Sequence, residues 1–198
     1  MYIQAMVIIA LCAGLNLSLG SIMYMLKLPI YLDMIGTILC ALLLWPMRRK
    51  AFFCAASAGV LSFLLGGLIV NPFLPWFSTT VIAVAAFSSF ITANQSEKFR
   101  TENTSSLKFL LPLLGYGILT GLVAAIISAP VVVYLFGGAT GSGTALLVAF
   151  FMKTGNQLLK AAFLSGFTAE PIDKTIQLFL AIMLYRATPK SFIDRIRG

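Results

Sequence analysis

The sequence has no histidine, only six acidic residues in 198, and two long tracts without charge of either sign. Histidine is the commonest general base near neutral pH and the commonest metal ligand, so its absence argues against metal sites, cofactor chemistry and acid–base catalysis. Charge is missing between Lys50 and Glu97 and again from Phe109 to Met152. A central Asp, Lys or Arg costs roughly 2.5–3.5 kcal/mol on membrane-insertion scales, whereas a soluble domain breaks its apolar stretches with charged surface positions. These tracts therefore suit lipid. Cysteine is also sparse: Cys12, Cys40 and Cys54 fall in apolar stretches without C-x-x-C spacing and read as small packing residues.

What is present agrees with a membrane chain. Sixty per cent of residues are apolar and 10% charged, against about a quarter charged in soluble proteins. Val7 to Cys12, Ile38 to Trp45 and Leu119 to Ile127 are apolar on all faces, which excludes the period-two alternation of a barrel and leaves helices, whose backbone groups are satisfied internally. The first apolar stretch lacks a basic start and is too long for a signal sequence, so it reads as the first helix. The net charge of +8 requires no nucleic acid: Arg48, Arg49, Lys50, Lys98, Arg100, Arg186, Lys190, Arg195 and Arg197 sit in end segments or short loops, as positive-inside charges do.

Punctuation by Pro46, Asn71-Pro72 and Pro130 predicts helices over about 2–26, 33–45, 51–70, 74–92 and 107–128, with a solvated loop over 94–106. With Arg48 to Lys50 in the cytoplasm, the amino terminus and the 94–106 loop are cytoplasmic too, and the 27–32 turn, the 71–75 turn and the region after Pro130 are external. Ala145 to Gly166 is ambiguous. Counting both it and Thr175 to Tyr185 as spans puts the basic tail outside, against the positive-inside tendency. If it re-enters or lies along the interface, six helices and a cytoplasmic tail result. The expected fold is thus an all-α, six-transmembrane-helix bundle forming one polytopic membrane domain over 1–198, both termini cytoplasmic, with an extra interfacial or re-entrant helix around 145–166. No internal repeat is visible.

Two motifs carry the polar punctuation. In Lys27-Leu28-Pro29-Ile30-Tyr31-Leu32-Asp33-Met34-Ile35-Gly36-Thr37, Asp33 reads either as a helix N-cap or, with Tyr31, as the mouth of a pocket for a small polar ligand, with Thr37 one turn further on the same face. In Gly137-Gly138-Ala139-Thr140-Gly141-Ser142-Gly143-Thr144, glycine and hydroxyl residues suit a plain loop or a flexible lid, and the order is wrong for a phosphate loop. Trp76 is an interface anchor or an aromatic wall. Lys153, Asn156, Gln157 and Lys160 share one face of a continuous helix, solvated or lining a cavity. Ala10 and Gly14, with Ala13 alongside, make a small-xxx-small pair permitting close helix approach.

Together, Leu28-Pro29-Ile30-Tyr31-Leu32-Asp33-Met34-Ile35-Gly36-Thr37-Ile38 after a first helix carrying Asn16, and Gly141-Ser142-Gly143-Thr144 followed by Pro171-Ile172-Asp173-Lys174, resemble the substrate-binding S components of energy-coupling factor (ECF) transporters. The resemblance implies a prokaryotic plasma-membrane protein that changes no covalent bond. It would capture a water-soluble vitamin or precursor near the outer face and deliver it with a transmembrane coupling subunit and two cytoplasmic ATPases. On that reading Tyr31, Asp33, Thr37, Trp76, Thr140, Ser142, Lys153, Asn156 and Gln157 are candidate substrate contacts. Ala10, Ala13 and Gly14 are candidate docking positions, where Ala10-x-x-x-Gly14 stands for the family's Ala-x-x-x-Ala. The alternative is a membrane sensor or scaffold that binds a ligand or partner without transport. An intramembrane enzyme has no paired acid–base groups to support it. For the solute, Lys153 and Lys160 suggest an anion and Asp33 a cation.

Overall fold

The computed structural model describes residues 2–47 and 49–197. Within them the chain is helical, with no strand: α1 Tyr2–Leu26, α2 Ile35–Leu44 continued by a 3-10 turn Trp45–Met47, α3 Arg49–Ile69, a 3-10 turn Leu74–Phe77 leading into α4 Ser78–Thr101, α5 Leu107–Phe136, α6 Thr144–Lys153, α7 Leu158–Ala187 and α8 Lys190–Arg197. Four of these stretches are long and apolar enough to cross a membrane: 3–26, 50–69, 74–101 and 107–136. The distribution of side chains is that of a protein in lipid. Large apolar groups such as Leu11, Leu68, Leu107 and Leu111 face outward, while Asn16, Thr37, Ser62, Asp173, Lys174 and Gln177 are buried. In water so much exposed apolar surface would drive association, and in a bilayer it is the solvated face.

Several boundaries differ from the sequence expectation. The fourth helix runs on to Thr101 rather than stopping near residue 92, and the polar stretch beginning at Asn94 is helical. Its last turns pack: Phe99 is buried, its ring 6.0 Å from that of Phe109. Arg186 donates to the Phe99 and Glu102 carbonyls at 2.5 and 2.6 Å, satisfying acceptors that the helix end leaves free. The loop proper is only 102–106, closed by Ser106 accepting from the Lys108 N–H. α5 continues through Pro130 to Phe136 and ends at Gly137, whose φ of 55° lets the N–H groups of Gly137 and Gly138 return to Val133 and Val132. A proline removes one helical hydrogen bond, a loss that packed membrane helices absorb.

The ambiguous stretch after Gly143 proves to be two helices. α6 has ten residues, about 15 Å at 1.5 Å per residue, too short to span. It ends at a reversal over 154–157 in which Gly155 takes φ 89°. α7 then runs for 30 residues straight through Pro171, so Thr175 to Tyr185 is its second half and not a separate segment. Glycine dictates how α7 packs. Gly117 lies against Thr175, Gly121 against Pro171 and Glu170, and Gly166 against Ala125, a descending series that makes α5 and α7 antiparallel and allows close backbone approach.

A Cβ at Gly121 would collide with the backbone of Pro171, whereas at Gly115, on the same helix, it meets nothing within 4 Å. Gly121→Ala should therefore cost about 1–3 kcal/mol, the usual range for overpacking, while Gly115→Ala stays within about 0.5 kcal/mol of the parent. Thermal unfolding in detergent measures both, and equal loss in the two variants would contradict the packing.

Candidate functional site

One end of the bundle gathers three connections. The Tyr24 hydroxyl accepts from Asn71 Nδ2 at 3.3 Å, the rings of Phe73 and Phe77 lie 5.5 and 5.7 Å from that of Phe136, and the Tyr31 and Thr144 hydroxyls are 2.7 Å apart. Beneath them is a cavity of about 110 Å³, bounded by α1, α3, the start of α4, α5, α7, the connection 70–77 and the loops 27–34 and 137–143.

The loop between α1 and α2 is held by α7. It contains both non-glycine residues with positive φ among the described residues, Lys27 at 52° and Leu32 at 51°. Such backbone survives only when the surroundings fix it, and the fixing groups are visible. Asp173 Oδ1 accepts from the Tyr31 and Leu32 N–H groups at 2.9 and 3.1 Å, and Gln177 Oε1 accepts from the Met34 N–H at 3.0 Å. Asn16 Oδ1 accepts from the Gly36 N–H at 2.6 Å while its Nδ2 donates to the Thr37 hydroxyl at 2.9 Å. The first turn of α2 is thus capped from α7 and α1. Asp33 does not cap it: the N-cap position is Met34, whose side chain makes no capping hydrogen bond. Its carboxylate turns to Lys174 Nζ at 3.7 Å and Gln177 Nε2 at 3.5 Å.

Around Lys174 three carboxylates converge. Asp173 Oδ2 lies 2.7 Å from its ammonium, Glu170 Oε2 3.2 Å and Asp33 Oδ1 3.7 Å, while the Tyr31 ring centre is 5.7 Å away. Asp173 Oδ2 also accepts from Gln177 Nε2 at 2.6 Å. Glu170 Oε2 makes its ion pair without hydrogen-bond alignment and has no hydrogen-bond partner. Burial, aided by the charge of Glu170, lifts the Tyr31 phenol well above its usual range, so the hydroxyl stays protonated. It ends a chain of hydroxyls, Tyr31 to Thr144 to Ser142 to Thr140, with steps of 2.7, 2.9 and 2.8 Å, that joins the two covering loops. Among the described residues no three His, Cys, Asp or Glu side chains are grouped to hold a metal ion.

The structure brings Tyr31, Asp33, Thr140 and Ser142 together on the cavity wall. Other candidates lie elsewhere. Thr37 is fully buried against Asn16, and Trp76 is 61% exposed and outside the lining. Lys153, Asn156, Gln157 and Lys160 do not share a helix face, because the reversal over 154–157 separates Lys153 from Lys160. Asn156 closes that reversal by donating to the Phe151 carbonyl and the Thr154 hydroxyl, both at 3.0 Å. Lys153, Gln157 and Lys160 are exposed. On α1, Ala10 and Gly14 are on the open face and a Cβ at Gly14 would meet nothing, but Ala13 is buried and points the other way. Cys12 and Cys40 are buried, and all three thiols are free.

Sequence reasoning gave no site role to Glu170, Lys174 or Gln177, and quoted Asp173-Lys174 only as part of the resemblance, not as an anchor. The signal was there: positions i, i+3, i+4 and i+7 on one helix face, charged and flanked by apolar residues, where ionisable groups turn inward. Reading 167–174 as a connection between two spans concealed it.

Asp173→Ala would strip the acceptor from two loop N–H groups and the closest counter-charge from Lys174. It should cost about 3–5 kcal/mol, the usual result of breaking a buried ion pair, and expose 27–34 to proteolysis in detergent. A loss below about 1 kcal/mol would show that the anchor is dispensable. No protein-family model matches the chain, and neither a curated protein nor a solved structure matches it.

Proposed function

We propose that this chain is the solute-capturing membrane subunit of an ECF-type importer in a prokaryotic plasma membrane. It would bind a small water-soluble vitamin or precursor in the cavity under loops 27–34 and 137–143. The observation that carries the reading is the cavity itself: set at one end of an apolar bundle, walled by aromatic and aliphatic groups, and lined with a few polar ones, including Asn16, Tyr31, Asp33, Ser142 and Lys174. That is how small-molecule sites are built.

In this reading α1, α3, α4, α5 and α7 cross the bilayer as helices. The chain between α1 and α3 makes the sixth crossing as a loop, the ten-residue α2 and its 3-10 turn, with α2 buried among the other helices rather than facing lipid. Helix α6 folds back at the outer face, and both termini lie in the cytoplasm. The antiparallel α5 and α7 and the reversal over 154–157 support it, as does the meeting of the carboxyl-terminal end of α7 with the end of α4. There Arg186 donates to the Phe99 and Glu102 carbonyls, and the basic tail joins the turn that carries Lys98 and Arg100. The covering loops meet through hydroxyl contacts and Gly137, Gly138 and Gly141 take positive φ, so the lid can part without breaking helix packing. Energy would come from partners, a transmembrane coupling subunit and two cytoplasmic ATPases, and the open Ala10 and Gly14 face of α1 is where close docking would occur.

The test is a thermal-shift screen of the detergent-purified protein against water-soluble vitamins, their precursors and related small solutes. A ligand at 100 times its Kd stabilises by about 2.7 kcal/mol, so a true solute raises Tm by several degrees. Silence across the panel would count against solute capture. Gly14→Leu should leave that shift unchanged while abolishing uptake by cells carrying the assembled importer, and normal uptake would reject the docking assignment.

A further inference from the structure

The charge balance of the cavity is unequal, and the inequality selects a class of solute. Among the described residues that line it, Lys174 is the single cationic side chain, while Asp33 and Glu170 are both on the wall. The third carboxylate, Asp173, is already committed. It holds the loop N–H groups and Gln177, and at 2.7 Å it is the closest counter-charge to Lys174. Asp33 at 3.7 Å and Glu170 at 3.2 Å are then two further carboxylates sharing one ammonium. Burying uncompensated carboxylate costs several kcal/mol, a cost that a cation entering the cavity would offset.

A second observation points to a ligand independently. Thr80, at the start of α4, lines the same cavity, is 3% exposed, and its hydroxyl has no hydrogen-bond partner. Buried hydroxyls are almost always partnered. The rest of the wall includes the rings of Phe63, Phe77 and Phe136, faces that attract a cation or stack on a ring. Lys153 and Lys160, which on sequence suggested an anion, are exposed and away from the cavity.

We propose that the cavity takes an organic cation: a small solute whose ammonium, amidinium or quaternised ring nitrogen is held by Asp33 and Glu170, with its apolar or aromatic body against Phe63, Phe77 and Phe136. This rests on the solute-capture reading and narrows it. The Thr80 hydroxyl supplies a further polar contact.

Three probes of one ring and nearly one size separate the charges: 3-(aminomethyl)pyridine, nicotinamide and nicotinate, titrated calorimetrically into the full-length protein in detergent. The amine should bind at least tenfold more tightly than the amide, the carboxylate should bind least, and Glu170→Gln and Asp33→Asn should each weaken the amine tenfold or more. Preference for the amide or the carboxylate, or amine binding unchanged in both variants, would overturn the cation assignment and leave solute capture standing. If the wider vitamin panel yields the tightest ligand, its charge decides the matter in the same way. No response to any probe or panel member defeats solute capture itself, and this proposal with it. A ligand-free measurement adds an independent arm: Glu170→Gln removes surplus negative charge and should raise Tm by on the order of 2 °C. A fall of several degrees would make Glu170 a structural counter-ion of Lys174 and reject its role as a waiting ligand.

Discussion

The carboxylate of Asp173 is the interaction on which the site end of this molecule depends. It is completely buried and makes four contacts with its two oxygens, two to backbone N–H groups of the loop between α1 and α2 and two to side chains of its own helix. A charge at that depth is tolerable only when every lone pair has a donor. The requirement works in both directions: the loop must adopt positive φ at Leu32 to present its N–H groups, and α7 must stand close enough to receive them. That closeness comes from Gly117, Gly121 and Gly166, which remove side chains from the α5 and α7 interface. A packing feature of two long helices thus determines where Tyr31 and Asp33 sit.

The opposite end is secured by different means. Arg186 donates to the carbonyls ending α4 and lies 4.8 Å from the Phe109 ring centre, while Arg100 donates to the Thr188 carbonyl and lies 5.3 Å from that of Tyr185. Cations there satisfy helix C-terminal carbonyls and oppose the macrodipole. The two ends therefore differ in kind. The far end is tied by side chain to backbone bonds between the ends of α4 and α7, whereas at the site end such bonds hold the 27–34 loop alone and the 137–143 loop meets it through hydroxyls. Local opening draws on the least secured contacts, which places movement at the cavity and rigidity at the far end.

How much of this was legible depended on what each residue's chemistry says locally. The uncharged tracts gave membrane helices, and α1 has the bounds that composition predicts, because desolvating charge dominates every other consideration in lipid. Tyr31, Asp33, Thr140 and Ser142 were legible as polar interruptions beside glycine and proline, and all four reach the cavity. The boundary errors share one cause: polarity and proline were read as helix breakers. Asn94 to Thr101 remain helical because Phe99 packs and Arg186 caps, and α5 and α7 pass through Pro130 and Pro171. The mistaken face of Lys153 to Lys160 is the converse case, in which Gly155 at φ 89° ended a helix that periodicity alone would continue. No local pattern could reveal that Asn16 and Gln177, 161 positions apart by their numbering, cap the same short helix.

The position of the charged groups also bears on how occupancy and loop geometry are linked. Asp33 belongs to the loop and Glu170 to α7, yet both face Lys174 and the same cavity. A cation between them would attract both, and so would favour the arrangement in which the loop lies against the helix over any arrangement in which it has swung away. A ligand shifts a conformational equilibrium only by its difference in affinity for the two states, and a site split between a loop and a helix supplies that difference directly. The loop is meanwhile held through Asp173 and Gln177, neither of which lines the cavity. Under the proposed capture of a cation, one set of groups would position the loop and another would meet the solute. Asp173 nevertheless links the two: it is also the closest counter-charge to Lys174, so a change there would alter the charge left to Asp33 and Glu170 as well as the hold on the loop.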